Sequence, residues 1–173
     1  MLNLFETQKV SLCLPVPRHR HEHVDGDMAQ FVGDHWCLTL TSTSSFRRLP
    51  VEERHQALLN YVHQLNVEET IQLRSLLQSF EVTFDPPSDL PACLIAGVVP
   101  TKAFRLYFRV ITFVEGETLW FHTARLSFRP SFAGAEAELV KHLTASFKAR
   151  PSIPRSHRAF DGKAPDEALR ERL

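Results

Sequence analysis

The chain has few cysteines, few glycines and no long apolar run. Its 173 residues include three cysteines, Cys13, Cys37 and Cys93, and six glycines. An odd number of isolated cysteines is untypical of a disulfide framework and indicates a reducing, cytoplasmic location. No stretch of 18 apolar residues exists, so no membrane span is predicted. The N-terminus lacks a basic start followed by an apolar core, so it does not resemble a secretory signal peptide.

Common catalytic and nucleotide-binding motifs are also missing. The sequence contains no GxGxxG, no P-loop GxxxxGK, no GxSxG and no HExxH. Each of these motifs positions a phosphate, a nucleophile or a metal through a defined local geometry. Their absence gives no reason to predict a cofactor, and none is predicted.

What is present is enough apolar material for one domain, since 43% of the residues are hydrophobic. Residues 1–30, which contain the polar stretch RHRHEHVDGD, are interpreted as an N-terminal extension. Residues 31–150 are predicted to form an α+β domain. Residues 151–173 are rich in proline and charge and are interpreted as a tail.

The net charge of zero hides an uneven distribution of charge. Residues 22–89 contain 11 acidic residues against 4 arginines, whereas residues 102–158 contain 10 basic residues against 4 glutamates. A basic half is typical of proteins that bind nucleic acid or another anion, and an acidic half can bind a basic partner. A chance segregation of charge around the fold is the alternative.

The pattern of apolar residues predicts helices followed by an antiparallel sheet. Helical spacing and a capping box at Asn66 and Glu69 predict two successive helices, and FDPPSDLP ends them. The fold class is therefore α+β, with a helical hairpin and a C-terminal helix packed on a small antiparallel sheet. The predicted helices cover 51–65, 66–80 and 134–148, and the predicted strands cover 36–42, 92–99, 103–113 and 118–129.

The stretch KAFRLYFRV, residues 102–110, alternates apolar residues with arginines and a tyrosine. Gly116 predicts a three-residue hairpin loop, which would pair residues of equal parity on the two strands. One face of the hairpin would then be apolar, with His122 in it as a satisfied core histidine. The other face would carry four arginines and two aromatic residues: Arg105, Tyr107, Arg109, Phe121, Arg125 and Arg129.

Four arginines on one face repel one another unless an anion or an acidic segment lies between them. Arginines interleaved with aromatics suit phosphate contacts and base stacking, so Tyr107, Arg109 and Phe121 are candidate nucleic-acid-binding residues. The alternative is that the arginines are solvated, or neutralised by Glu136 and Glu138 of the last helix.

Two segments carry a resemblance to a known family. WCLTL running into SFRRLPVEERHQALLNYVHQL, and KAFRLYFRVITFVEGETLWFHTARL, resemble the first strand, helical hairpin and arginine-bearing hairpin of the RelE/ParE family of bacterial toxins. AFRLYFR is also similar to YhaV-type toxins of this kind. The resemblance covers about residues 35–150. CLIAGVV lacks the lysines, and SFRPSFAG the tyrosine or histidine, that cleaving members often carry.

The resemblance implies a toxin that binds RNA or the ribosome, or cleaves messenger RNA. Arg105 would contact the scissile phosphate, and Arg125 or Arg129 would supply a second cation. Such an endoribonuclease needs no metal, because the ribose 2′-hydroxyl attacks the phosphorus while cations stabilise the transition state. An antitoxin-like protein partner would cover the sheet.

Two further hypotheses come from the residues alone. The chain is alternatively a non-catalytic interaction or adaptor protein that uses the basic sheet or the acidic helical half. It is alternatively a metal-binding enzyme, with His19, His21 and His23 as weak candidate ligands. The spacing of these histidines matches no closed zinc pattern, and a solvated polar loop is the favoured interpretation.

Overall fold

The computed structural model describes residues 1–45, 48–73, 78–100, 103–129 and 136–152. About half of these residues lie in antiparallel strands, with one long and one short helix. The helices are α1 Val51–Leu73 and α2 Glu136–Ser146. Within the described residues the strands are β1 Asn3–Glu6, β2 Val10–Leu14, β3 His21–Asp25, β4 Met28–Val32, β5 Trp36–Ser44, β6 Gln78–Phe84, β7 Ala92–Val99, β8 Phe104–Glu115, β9 Thr118–Phe128 and β10 Lys148–Ala149.

The main layer is a seven-stranded sheet in the order β3-β4-β5-β9-β8-β7-β6. Tight turns fix much of this order. Asp25 pairs with Met28 and Glu115 with Thr118, so both hairpins have two-residue loops. Gly26 and Gly116 stand first in these loops with φ of 56° and 61°. A type II′ turn takes glycine at this position, and its twist matches that of the flanking strands.

A second layer covers one face of this sheet. It consists of α2 and a three-stranded sheet in the order β1-β2-β10. Alternate residues of β2 and β5 are buried, as expected for strands with one face in a core. The core between the two layers includes Phe5, Val10, Leu12, Leu14, Phe31, Trp36, Leu38, Leu40, Leu126, Phe128, Leu139, Leu143 and Phe147.

The other face of the seven-stranded sheet carries α1. Leu58, Val62 and Leu73 of this helix are buried against strands β7, β8 and β9. The second core between helix and sheet also includes Cys93, Ile95, Val99, Leu106, Phe108, Val110, Leu119 and Phe121. Within the described residues, neither helix is both long and apolar enough to cross a membrane.

The predicted fold class, a helical hairpin and a C-terminal helix on a small antiparallel sheet, is wrong. The helix that begins at Val51 does not stop at Asn66 but continues to Leu73. Glu69 binds Arg125 of β9 and so does not cap a new helix. The end of the second predicted helix is strand β6 instead. Its predicted apolar residues Leu76 and Leu77 lie outside the described residues.

Several predicted elements are confirmed within this different architecture. The strand predicted over 92–99 has these bounds, and β5, β8, β9 and α2 lie within three residues of their predicted ends where the structure describes them. The predicted extension, residues 1–30, provides β1 to β3 and most of β4. Phe5, Leu12 and Leu14 of this segment are buried in the first core.

Candidate functional site

The arginine-bearing hairpin has a different register from the predicted one. Because its loop has two residues, Phe108 pairs with Arg125 and Arg109 pairs with Ala124. Residues of opposite parity therefore share a face, and the equal-parity prediction is wrong. Arg105, Tyr107 and Arg109 lie on the face that carries α2, whereas Arg125 lies on the face that carries α1.

Arg105 and Tyr107 are both bound to one carboxylate of α2. The guanidinium of Arg105 donates to Glu136 Oε2 at 2.5 Å, and the Tyr107 hydroxyl donates to Glu136 Oε1 at 2.6 Å. Burial alone would raise the pKa of Glu136. The hydrogen bonds from Arg105 and Tyr107 have a larger, opposite effect, so the pKa of Glu136 lies below its usual value. Burial and the bond to Glu136 raise the pKa of Tyr107 to about 12. The group is a clamp that ties the start of α2 to β8.

Arg109 is buried, with 5% of its surface exposed. Its two terminal nitrogens donate to the two carboxylate oxygens of Asp85, each at 2.6 Å. Hydrogen bonds from Arg109 hold the pKa of Asp85 below its usual value. A bidentate pair of this kind is geometrically specific. It fixes the loop between β6 and β7 against β8, and it leaves the terminal guanidinium nitrogens occupied.

Arg125 binds Glu69 on the opposite face. Its Nε and Nη2 donate to the two oxygens of Glu69 at 2.7 and 3.1 Å. Glu69 is only 6% exposed, so this carboxylate is nearly removed from water. The pair ties the second half of α1 to β9, which explains why Glu69 faces inwards rather than capping a new helix.

The other two predicted site residues lie apart from each other. Phe121 is buried and stacks on Tyr61 of α1, with ring centroids 4.7 Å apart. Arg129 is exposed just after β9, and its backbone N–H donates to the His35 carbonyl. Among the described residues, no carboxylate lies within ion-pair distance of Arg129. It borders a shallow cavity of about 200 Å³ that Gly33 to Cys37 also line.

His122 is a core residue, as predicted from its position among apolar neighbours. It is 2% exposed, and its Nδ1 lies 2.9 Å from Ser42 Oγ. Burial lowers the pKa of His122 to about 4, so the ring is neutral near pH 7. A neutral, buried imidazole bound to a serine is a satisfied core group.

The N-terminal histidines do not converge. His19 lies against Phe5 and Phe31 and contacts Glu22 at 3.0 Å. His21 and His23 pair with Val32 and Gln30 and lie on the face that carries α1. In the part of the chain that the structure describes, no group of three or more His, Cys, Asp or Glu side chains is placed to hold a metal ion.

A surface that the sequence did not suggest remains after these assignments. Helix α1 covers the seven-stranded sheet over β7, β8 and β9, and no described element covers the same face over β3, β4 and β5. We call this uncovered area the open face. Register and alternation place ten residues on it: His21, His23, Asp25, Met28, Gln30, Val32, Cys37, Thr39, Thr41 and Thr43.

The open face is nearly uncharged and hydrogen-bonding. Among these ten residues, Asp25 is the single carboxylate, and there is no lysine or arginine. Thr39, Thr41 and Thr43 follow one another along β5. Cys37 is half-buried, and this burial raises the pKa of its thiol, so the thiol is not activated as a nucleophile.

A groove separates the open face from α1. Its volume is about 420 Å³. Thr43 and Phe121 lie on its sheet side, and Ala57, Asn60 and Gln64 lie on its helix side. The groove therefore joins the open face to a wall of helical side chains and offers both hydroxyl and amide groups.

Two sequence features could have indicated this surface. The alternation of Thr39, Thr41 and Thr43 is typical of a strand face that is not packed in a core. The dipeptide Gly26-Asp27 within HVDGDM is a hairpin signal. The same kind of pattern that predicted the β8–β9 hairpin could therefore have predicted strand β3. The position of α1 over one half of the sheet depends on tertiary packing, so no local sequence pattern could have indicated it.

Comparison of the sequence with models of protein families and with curated proteins found no match. The resemblance to RelE/ParE toxins therefore stays a prediction.

Proposed function

We propose that this chain is a non-catalytic protein-interaction module that binds a partner protein on the open face. The observation that carries the proposal is the half-covered sheet. One helix packs on one half of a face of the seven-stranded sheet, and the other half stays in water with its edge strand β3 exposed on both faces. An antiparallel sheet can leave one face in water, and here the uncovered area extends over three neighbouring strands, which is suited to docking.

The chemistry of the open face favours a protein over a nucleic acid. Binding to RNA or DNA depends on cations that contact phosphates. The open face has no lysine or arginine, and the nearest guanidinium, Arg125, is occupied by Glu69. Threonine hydroxyls, a glutamine amide and the thioether of Met28 suit a wet interface with neutral polar and apolar groups.

The arginines give weaker support to the RNA-cleaving hypothesis than the sequence pattern did. Arg105, Arg109 and Arg125 each bind a carboxylate, and they are divided between two faces. A phosphate would have to displace Asp85, Glu69 or Glu136 to reach them. Messenger RNA cleavage by Arg105, Arg125 and Arg129 stays a prediction. Growth arrest that depends on Arg129 in an expressing bacterium would favour it.

Affinity capture with matched variants tests the proposed function. Thr41→Arg places a long cation in the middle of the open face, and Thr144→Arg makes the same substitution at an exposed position of α2, on the opposite face of the sheet. A protein captured by the wild type and by Thr144→Arg, but not by Thr41→Arg, supports the proposal. A partner that all three proteins retain equally, or captured RNA in place of protein, contradicts it.

A further inference from the structure

Strand β3 is the edge of the seven-stranded sheet, and all five of its residues are exposed. It pairs with β4 on one side, and within the described residues no strand pairs with its other side. In a two-residue hairpin, the pair that flanks the loop is hydrogen-bonded, and bonded pairs then alternate along the strand. Asp25 flanks the loop, so the backbone groups of Glu22 and Val24 point away from β4.

We propose that two copies of this chain associate by antiparallel pairing of β3 with β3, about a two-fold axis at His23. In this register Glu22 of one copy lies opposite Val24 of the other. The outward N–H and C=O groups of both residues then find partners in the second copy. A register centred on Val24 would instead place Glu22 opposite Gly26, which lies outside the strand in the hairpin loop.

The side chains of β3 are complementary in this register. His21 and Asp25 lie on the same face of the sheet because they are four residues apart in a strand. Antiparallel pairing about His23 places His21 opposite Asp25 of the second copy, and Asp25 opposite His21 of the second copy. An imidazole N–H can donate to a carboxylate, and opposite groups in a cross-strand pair stabilise the pairing.

The side chains of Glu22 and Val24 permit the pairing. Glu22 already contacts His19 of its own chain, with 3.0 Å between Nε2 and Oε2, so its carboxylate has a partner away from the edge. Val24, 52% exposed in the single chain, would lie beside the methylene groups of Glu22 from the second copy. No proline and no lysine interrupts the strand, and these are residues that often prevent edge pairing.

The dimer would join the two open faces. Strands β5, β4 and β3 of one copy would continue into β3, β4 and β5 of the second, with one α1 at each side. This assembly goes beyond the proposed function and does not depend on it, because it involves purified chain alone. It would present a partner with a symmetric sheet floor between two helical walls.

Sedimentation velocity of the purified chain tests the inference. An interface built on one short strand is small, so we expect a reversible dimer that forms within about 1 to 500 µM chain. Val24→Pro removes an outward-facing donor while keeping the bonds to β4, as proline is tolerated on an edge. We expect it to weaken the dimer about tenfold or more, whereas Val24→Thr, which keeps the donor, should leave it within about threefold.

A charge exchange provides a second test that does not depend on proline. His21→Asp places two carboxylates opposite each other and should weaken the dimer. The double variant His21→Asp/Asp25→His restores a histidine opposite an aspartate and should recover it. A wild-type chain that stays monomeric over the whole range overturns the inference, as does equal association of Val24→Pro and Val24→Thr, or a double variant as weak as the single one.

Discussion

A guanidinium taken out of water needs a carboxylate beside it, because an unpaired buried charge is far more costly than a paired one. Arg109 and Arg125 meet this requirement with Asp85 and Glu69, and the partly exposed Arg105 binds Glu136. Each pair joins a helix or loop to the central hairpin. At the residue scale these arginines therefore hold neighbouring elements in place.

Breaking the pair that contains the most buried guanidinium, Arg109, should destabilise the chain. Asp85→Asn keeps an acceptor oxygen but removes the charge that balances Arg109. We expect the free energy of unfolding to fall by about 2 kcal/mol, less than for a fully enclosed pair because the Asp85 side chain is partly exposed. Urea denaturation at pH 7 measures the change.

The control for this experiment is a pair on the surface. Arg48 and Glu117 lie 3.5 Å apart with about 80% of each side chain exposed (79% and 81%). Arg48→Ala should change the free energy of unfolding by about 0.5 kcal/mol or less. An equal loss in both variants would contradict the assigned role of the Asp85–Arg109 pair.

The contribution of Asp85 to stability should also depend on pH. The pKa of Asp85 is lowered in the folded chain. Its contribution to the free energy of unfolding is therefore full above the unfolded carboxyl pKa of about 3.9 and is lost as the pH falls through the folded value.

His122 should make the protein sensitive to acid. Its folded pKa, about 4, is lower than the unfolded value of about 6.5, so stability is full above pH 6.5 and decreases as the pH falls towards 4. The slope should approach about 1.4 kcal/mol per pH unit in that window. His122→Gln can keep a bond to Ser42 without titrating, and should lose this slope in urea denaturation at pH 7, 6 and 5. An unchanged slope would show that another group is responsible.

Helix α1 and the β8–β9 hairpin show at the element scale what a sequence can and cannot predict. Local patterns predicted β7, β8, β9 and α2, because alternation and turn residues act over a few positions. Asn66 and Glu69 have capping-box spacing, yet Glu69 is drawn inwards by Arg125, 56 residues further along the chain. That long-range pair is a tertiary contact, and the local spacing could not show it.

The hairpin register depended on one residue of loop length. Gly116 has the predicted positive φ, but a two-residue loop fits the paired strands, and this single change moved Arg125 to the other face. The prediction that Arg125 shares a face with Arg105 and Arg109 was wrong for that reason. The alternative hypothesis, in which Glu136 of the last helix neutralises the arginines, was correct for Arg105.

Gly116→Ala should test the loop conformation. A Cβ at φ 61° is strained, although no atom lies within 4 Å of its expected position. We expect a loss of about 1 kcal/mol in the free energy of unfolding, from backbone strain alone. Glu117→Ala, one residue further on, should be nearly neutral. A neutral effect at Gly116 would indicate a different turn.

The whole molecule is a sheet with unequal cover on its two faces. Strands β1, β2 and β10 with α2 cover one face, and Phe5, Leu12 and Leu14 from the first thirty residues are part of that core. Only α1 covers the other face, and the open face stays in water. The alternation in β2 and β5 was readable from the sequence, but the allocation of cover to each half of the sheet depends on packing between distant segments.

We propose that this chain binds a protein through the open face rather than acting through a phosphate-binding arginine surface. Site-specific photo-crosslinking in cells distinguishes the two, with a photoreactive residue at Thr41 on the open face and, as the matched control, at exposed Thr144 of α2. We expect a defined protein adduct from Thr41 and none from Thr144. Adducts to RNA, or the same adducts from both positions, would contradict it.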